Sequence, residues 1–283
     1  MNDSSSPEDE EIKEGHKEPP VPNARSAGMA GERASKQNNL PADADLERLV
    51  HDSSPEITVA VAGDPRLTED LALALLNRRD LPREALEALT RNGSVAKQRK
   101  IRLAIVMHPR TPRHVSVPTI RHLYTFELMQ VALLPSVPPD VKRAAEEVLI
   151  GRLASISSGE RSSLAKQSSG RVAASLLLDK EERIMLAALS NPRMTEMWIV
   201  KALKAEAGTQ LLAPAVARHQ KWSYRNDVKA ALLTNKFTPP ARVLQLAAEL
   251  PVNMIKDVLR SGRVNSHVKN CLLAVLEKRA AHG

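Results

Sequence analysis

Two stretches of basic residues carry most of the binding chemistry that this sequence offers. The first runs from Lys97 to His122 without an acidic residue, and the second, RHQKWSYRNDVK, begins at Arg218. Guanidinium and ammonium groups bind carboxylates and phosphates, and aromatic rings placed between them stack on nucleobases. The candidate binding residues are Arg102, Arg110, Arg113, Arg121, His122, Arg218, Lys221, Trp222, Arg225 and Lys229.

These residues also have a purely structural interpretation, which the sequence leaves open. Trp222 and Trp198 would then pack between helices, and the bases would lie at solvated helix ends. Only six residues of the chain are Trp, Tyr or Phe, whereas proteins that bind single strands without sequence preference use several exposed rings. The shortage of aromatic residues favours the structural interpretation. A protein or peptide is the preferred partner, and nucleic acid, which the basic charge favours, is the alternative.

Catalytic and metal-binding patterns are not found. The sequence has no Gly-rich phosphate loop, no HExxH and no GxSxG. His108, His114 and His122 are spaced six and eight apart, and these spacings do not place them on one helix face as i and i+4 would. We therefore predict a protein that is not an enzyme and that has no metal and no cofactor.

Short helices separated by proline turns must position the basic residues. In the stretch from Ala187 to Leu203, a helix ends in small residues, Asn191 suits a left-handed conformation, Pro192 stops the helix and Thr195 caps the next one. Related stretches are AVAGDPRLTED from Ala60, AIVMHPRTPRH from Ala104 and AALLTNKFTPPAR from Ala230; Pro65 to Pro109 and Pro192 to Lys236 are both 44 positions apart. Recurrence of such a turn predicts stacked helical pairs.

The periodicity predicts about 16 helices from residue 45 onward. The strongest signal is the apolar spacing from Val141 to Leu153, and Pro118 predicts a distorted or kinked helix. Capping boxes are expected at Ser53 and Ser157, each with Glu three residues on. The polar segment 155–170 is either a surface helix or a hinge between two halves.

The proline turns resemble those of bacterial HEAT-like and leucine-rich-repeat-variant proteins, in which short helix pairs are separated by Asn-Pro-x-x-Thr/Pro. The residues that carry the resemblance are Asn191-Pro192 with Thr195, His108-Pro109 with Pro112, Asp64-Pro65 with Thr68, and Asn235 with Thr238-Pro239. The resemblance covers most of residues 45–260. We predict an all-α fold, a right-handed α-solenoid of HEAT-like helical pairs, whose concave side binds another macromolecule.

Two properties of that family do not transfer to this chain. The cysteine cluster that holds an iron–sulfur centre in one variant has no counterpart, because Cys271 is the single cysteine. Some HEAT-like proteins are DNA glycosylases, and Trp222, Arg225 and Asp227 supply the residue types of such a site. On one helix, however, Trp222 and Asp227 would lie about 140° apart and point away from each other.

The net charge divides the chain into an acidic tail and a basic body. Residues 1–44 hold nine acids and five bases, so the remaining 36 bases and 24 acids give residues 45–283 a net charge of +12. We predict a disordered acidic tail at 1–42 and one helical-repeat domain at 43–283 that attracts a partner with an acidic surface. The single cysteine and the lack of a signal pattern or a long apolar run predict a cytoplasmic protein without membrane insertion.

Overall fold

A computed structural model describes residues 45–205 and 210–281. The predicted tail at 1–42 lies outside the described residues. The regular structure of the described ranges consists of 17 helices and no strand, which confirms the all-α prediction. The helices are α1 Leu46–Leu49, α2 Pro55–Gly63, α3 Glu69–Leu76, α4 Arg83–Arg91, α5 Arg99–Met107, α6 Arg113–Ile120, α7 Thr125–Leu133, α8 Pro139–Arg152, α9 Ser158–Gln167, α10 Gly170–Leu176, α11 Glu182–Leu189, α12 Glu196–Leu203, α13 Leu212–Arg218, α14 Asn226–Thr234, α15 Pro240–Glu249, α16 Val252–Arg260 and α17 Ser266–Ala280.

The helices pack mainly on their next-but-one neighbours. Contacts join α2 with α4, α3 with α5, α6 with α8, α10 with α12, α12 with α14 and α15 with α17. Sequential pairs such as α7 and α8, or α9 and α10, also touch. Helices that are too short to bury a face alone cover one another in this way, as expected for a helical repeat.

Several local predictions can be compared with the helix ends. Pro118 lies inside α6, as the sequence predicted. Ser157 forms the expected capping box with Glu160, and α9 occupies most of the segment 155–170. The expected box at Ser53 is wrong: α2 starts one residue later, with Ser54 at the N-cap and Pro55 in the first turn. Pro has a φ suited to the first helical turn and needs no N–H partner there, so it sets this start.

A polar side chain at the recurring turn ties each repeat to the one before it. Asn191 is buried; its Nδ2 donates to the carbonyls of Ala165 and Ser168 at 2.8 and 3.3 Å, and its Oδ1 accepts from the N–H of Arg193 at 2.7 Å. Equivalent bonds to the N–H two residues on are made by Asp64, Asn92, His108, His219 and Asn235. Asn92, His108 and Asn235 also bond to a carbonyl about 30 residues earlier, as Asn191 does, so at these four turns the polar residue links two helical pairs.

The chain contains an internal duplication of seven helices. Copy 1 is α2 to α8, residues 55–152, and copy 2 is α11 to α17, residues 182–280, with α9 and α10 between them. Six of the seven helices begin 127 positions after their counterparts: Pro55 and Glu182, Glu69 and Glu196, Arg99 and Asn226, Arg113 and Pro240, Thr125 and Val252, Pro139 and Ser266. Equal spacing over so many helices means that both copies fold by the same pattern.

The same offset relates the buried positions. Buried pairs include Leu67 and Met194, Ala72 and Ile199, Leu76 and Leu203, Leu89 and Val216, Val95 and Trp222, Ile101 and Val228, Ile105 and Leu232, Leu128 and Ile255, Val131 and Val258, and Val141 and Val268. Most of these pairs keep an aliphatic or Met side chain. Cores tolerate such exchanges when the pattern of apolar positions is kept.

Each copy has one arginine near its end that donates hydrogen bonds to carbonyls at an earlier helix end. In copy 1, Arg152 donates from Nη1 to the carbonyl of Leu123 at 2.6 Å and from Nη2 to that of Arg121 at 2.6 Å. In copy 2, Arg279 donates from Nη1 to the carbonyl of Leu250 at 2.7 Å and from Nη2 to that of Ala248. Donor and acceptor positions all differ by 127, so the register is the same in both copies. Each arginine satisfies carbonyls at a helix end, where intrahelical partners run out.

The buried apolar side chains form two clusters. One runs from Leu46 to Val115 and the other from Val106 to Leu272. They meet at α5, which gives Ile105 to the first cluster and Val106 to the second. The core is therefore divided inside copy 1, whereas copy 2 lies within a single cluster.

Candidate functional site

The first basic stretch meets acids from other helices once the chain is folded. Lys100 Nζ lies 3.6 Å from Glu69 Oε1, Arg113 Nε lies 3.7 Å from Asp140 Oδ2, and His114 Nε2 lies 3.0 Å from Glu87 Oε1. Arg99 Nε pairs with the buried carboxylate of Glu127 and stacks on Tyr124 at 4.5 Å. The stretch is continuous in sequence, but its surface carries charges of both signs.

The candidate arginines of this stretch lie in different surroundings. Arg110 donates from Nη1 to the carbonyls of Asp80 and Leu81 at 2.8 and 3.4 Å, so its guanidinium is used to join two turns. Arg113 is exposed beside Asp140. Arg121 is exposed, and its side chain has no hydrogen bond or ion pair within the described part of the chain. These three side chains are not among the described residues that line the clefts beside α6.

Arg102 and His122 do come together, on a cleft between α4, α5 and α6. The cleft has a volume of about 200 Å³, and its lining residues are Thr90, Ala96, Arg102, Ile105, Pro118, Thr119 and His122. Arg102 is half-buried and donates from Nε to the carbonyl of Ala96 at 3.1 Å. His122 is exposed. A second cleft of about 250 Å³ shares Thr90, Pro118 and Thr119 with it, and there Glu87 offsets the charges of Arg91 and His114.

The other histidine of this stretch, His108, is a structural residue. Its Nε2 lies 2.8 Å from the carbonyl of Arg78, and its Nδ1 accepts from the N–H of Arg110 at 3.2 Å. Only the neutral tautomer with hydrogen on Nε2 satisfies both bonds. Burial lowers the pKa of His108, which favours this neutral form.

The second basic stretch is divided between core and surface. Trp222 is buried and donates from Nε1 to the carbonyl of Leu189 at 3.0 Å, so it packs between helices as the structural interpretation expected. Lys221 is exposed and lies over the Trp222 ring at 4.2 Å. Arg218 and Arg225 are exposed, and neither makes a side-chain bond within the described ranges.

Lys229 is buried in an ion pair. Its Nζ lies 2.7 Å from Glu249 Oε2, and 7% of the lysine side chain and 38% of the glutamate side chain are exposed. The hydrogen bond from Lys229 holds the pKa of Glu249 below its usual value, because it stabilises the carboxylate. Lys229 thus lies beneath the surface that Arg218, Lys221 and Arg225 occupy.

A further basic groove lies where α12, α14 and α16 end. It has a volume of about 490 Å³, and its described lining residues include Lys204, Lys236, Arg263 and Phe237 and no acid. A neighbouring groove of about 440 Å³ shares Lys204, Thr234 and Arg263, and it adds Asp257, which is paired with Arg260. Residues 206–209 follow directly and lie outside the described residues. The sequence pattern does not predict this groove, because its cations come from three helix ends about 30 residues apart.

The described side chains offer neither a metal site nor a membrane-spanning helix. No group of three or more His, Cys, Asp or Glu side chains in the described ranges is arranged to hold a metal ion. Among the described helices, none has both the length and the apolar character needed to cross a membrane. Comparisons with protein-family models, with curated proteins and with solved structures found no match to this chain.

Proposed function

We propose that this chain is a non-enzymatic binding or scaffold protein that uses its helical-repeat surface to bind an acidic segment of another protein. The fold that we propose is a right-handed α-solenoid of HEAT-like helical pairs. The net charge of +12 in residues 45–283 favours acidic partners, and the single cysteine favours a reducing compartment, the cytoplasm. The proposal assigns no catalytic residue, metal or cofactor.

The observation that carries the proposal is the presence of cations in clefts without matching acids. Elsewhere on the surface, Lys100, Arg113 and His114 face carboxylates from neighbouring helices. The described linings of the Arg102–His122 cleft and of the groove at Lys204 contain no acid. A cation in a recess is less screened by water and ions than one on an open surface, so it attracts an acidic side chain more strongly.

Nucleic-acid binding is the alternative, and one observation favours it. The Tyr224 side chain is 74% exposed and lies between Lys221 and Arg225 in the sequence. An exposed ring among cations suits base stacking combined with phosphate contact. Binding of this kind weakens steeply with salt because phosphate contacts release condensed counterions.

Charge-neutralising variants test the proposal in the full-length chain. Lys204→Gln, Lys236→Gln and Arg263→Gln together remove the charge of the groove. The matched control removes the same charge at exposed positions elsewhere, with Arg143→Gln, Lys166→Gln and Lys180→Gln. We expect a fluorescein-labelled deca-glutamate to bind the wild type at low salt, to bind the groove variant at least tenfold more weakly, and to bind the control variant less than about threefold more weakly.

The same titration is repeated with a single-stranded oligonucleotide of mixed sequence. If deca-glutamate fails to bind while the oligonucleotide binds with a steep salt dependence, and Tyr224→Ala weakens that binding, the nucleic-acid alternative replaces the proposal. If neither ligand binds the wild type at low salt, both are wrong.

A further inference from the structure

The two copies differ at one pair of positions in a way that points to a ligand. In copy 2, Lys229 and Glu249 form an ion pair with Nζ and Oε2 2.7 Å apart. The positions 127 residues earlier in copy 1 hold Arg102 and His122, which line one cleft. Copy 1 therefore keeps the cation of this pair and has a histidine in place of the carboxylate.

The hydrogen bonds of the next residues fix the correspondence between positions 122 and 249. The carbonyls of Leu123 and Leu250, the residues after His122 and Glu249, accept from Arg152 and Arg279. Both leucines are buried. The local difference is that Glu249 is the last residue of α15, whereas α6 ends at Ile120 and His122 lies in the turn that follows.

The walls of the two sites also differ in polarity. In copy 2, the positions beside the ion pair are taken by Ala217 and Leu246, which are buried within one continuous apolar cluster. The corresponding positions in copy 1 are Thr90 and Thr119, which are half-buried and line the cleft. Copy 1 thus has an open, polar cleft where copy 2 has a filled core.

We infer that the Arg102–His122 cleft binds a carboxylate side chain, Glu or Asp, of the partner protein, in the place that Glu249 takes in copy 2. This inference rests on the proposed function. Arg102 uses Nε for the carbonyl of Ala96, and its Nη1 and Nη2 have no partner in the described part of the chain. Two terminal N–H groups suit a carboxylate, and a ring N–H of His122 provides one more donor.

The cleft volume agrees with such an occupant. About 200 Å³ holds an acidic side chain and a few ordered waters, each of which takes about 30 Å³ of liquid volume. The two threonine hydroxyls supply partners for those waters. A single side chain of the partner, rather than its whole surface, is therefore recognised at this place.

The test uses the full-length chain with Lys204→Gln, Lys236→Gln and Arg263→Gln, so that the groove does not contribute, and it compares labelled deca-glutamate with a labelled deca-glutamine control at low salt and pH 8. Arg102→Gln removes the cation, and His122→Glu supplies the carboxylate that copy 2 already has. We expect each to weaken deca-glutamate binding about tenfold, the loss given by one charge-assisted hydrogen bond of ~1.4 kcal/mol. Arg143→Gln, an exposed position of α8 with the same change of one charge, should alter binding less than about twofold.

A second measurement needs no ligand. His122→Glu should raise the melting temperature over His122→Gln by about 1 to 3 °C, the shift of an ion pair in a domain of this size, and the gain should vanish in the Arg102→Gln background and in high salt. Peptide binding that persists in Arg102→Gln and His122→Glu overturns this inference and leaves the proposed function standing. No binding of deca-glutamate to the wild type overturns both this inference and the proposed function. Equal weakening by Arg143→Gln, or no binding once the groove is neutralised, overturns the cleft inference alone.

Discussion

Replacing Asn191 by alanine tests whether the turn residues link the repeats. The buried side chain has three bonds: to the carbonyls of Ala165 and Ser168, and from the N–H of Arg193. A buried group left without its partner costs about 1–3 kcal/mol. The bond to Ser168 is the longest at 3.3 Å, so its loss should cost the least of the three. We therefore expect a loss of about 3 kcal/mol in the free energy of unfolding, or about 6 to 12 °C in melting temperature.

A second variant, Asn191→Asp, removes the hydrogen bonds that the side chain donates and keeps the one that it accepts. Asn191→Asp keeps an oxygen for the N–H of Arg193, but it points a carboxylate oxygen at two carbonyl oxygens. At pH 7 it should destabilise the fold at least as much as alanine. The buried carboxylate has its folded pKa raised above the unfolded value near 3.9, so its penalty should shrink as the pH falls towards 4.5.

The assay is urea unfolding followed by tryptophan fluorescence. Trp222 bonds to the carbonyl of Leu189, two residues before Asn191, so the signal reports on this part of the fold. Asn253→Ala, an exposed asparagine of α16 without a side-chain bond in the described ranges, is the control and should change stability by less than about 0.5 kcal/mol. A loss below about 1 kcal/mol for Asn191→Ala, or an aspartate better tolerated than alanine at pH 7, would refute the reasoning.

Three further predictions concern stability. Gly170→Ala should cost about 2 kcal/mol in urea unfolding, because the added Cβ would overlap the carbonyl oxygen of Arg193; a neutral result would mean that the repeats can move apart. Glu249→Gln should cost about 1–2 kcal/mol, less than a fully buried pair because the glutamate is half-exposed, and Lys229→Met should cost less; the reverse order would contradict this account. Burial lowers the pKa of His108, so the stability that this residue contributes is full above pH 6.5 and is lost as the pH falls towards its pKa in the folded protein. The difference between the melting temperatures at pH 7.5 and pH 5.5 should therefore be smaller in His108→Gln than in the wild type.

The helical pairs were predictable because their causes are local. Proline turns and apolar spacing are read from neighbouring residues, and so Pro118 inside α6 and the capping box at Ser157 were predicted correctly. The start of α2 was not, since Pro55 and the Ser53 capping box competed for the same turn. The handedness of a solenoid depends on small rotations between repeats, which the local pattern does not contain.

The duplication was partly visible in the sequence. The two intervals of 44 positions, Pro65 to Pro109 and Pro192 to Lys236, are the same segment of the two copies. The longer offset of 127 is obscured because buried positions keep apolar character rather than identity, as at Val95 and Trp222. Burial and helix ends reveal it because folding constrains these features more tightly than residue type.

The candidate site was predictable only as a set of residues. Arg102 and His122 stand in the first basic stretch, but the acids that offset their neighbours come from other helices, such as Glu69 and Asp140. Sequence proximity of bases did not predict which of them keep an unmatched charge. That property depends on contacts between elements about 30 residues apart.

Comparison of the copies separates structural positions from the position that we assign to binding. Arg152 in copy 1 and Arg279 in copy 2 make the same hydrogen bonds, so folding constrains both positions. If folding alone constrained position 122, we would expect a carboxylate there, because it would form an ion pair with Arg102 as Glu249 does with Lys229. With His122 at this position, Arg102 stays available to the carboxylate of a partner. The protein loses some stability in this way, and His122→Glu should restore it. Binding sites commonly carry such a local loss of stability, because the group that would complete the structure must come from the partner.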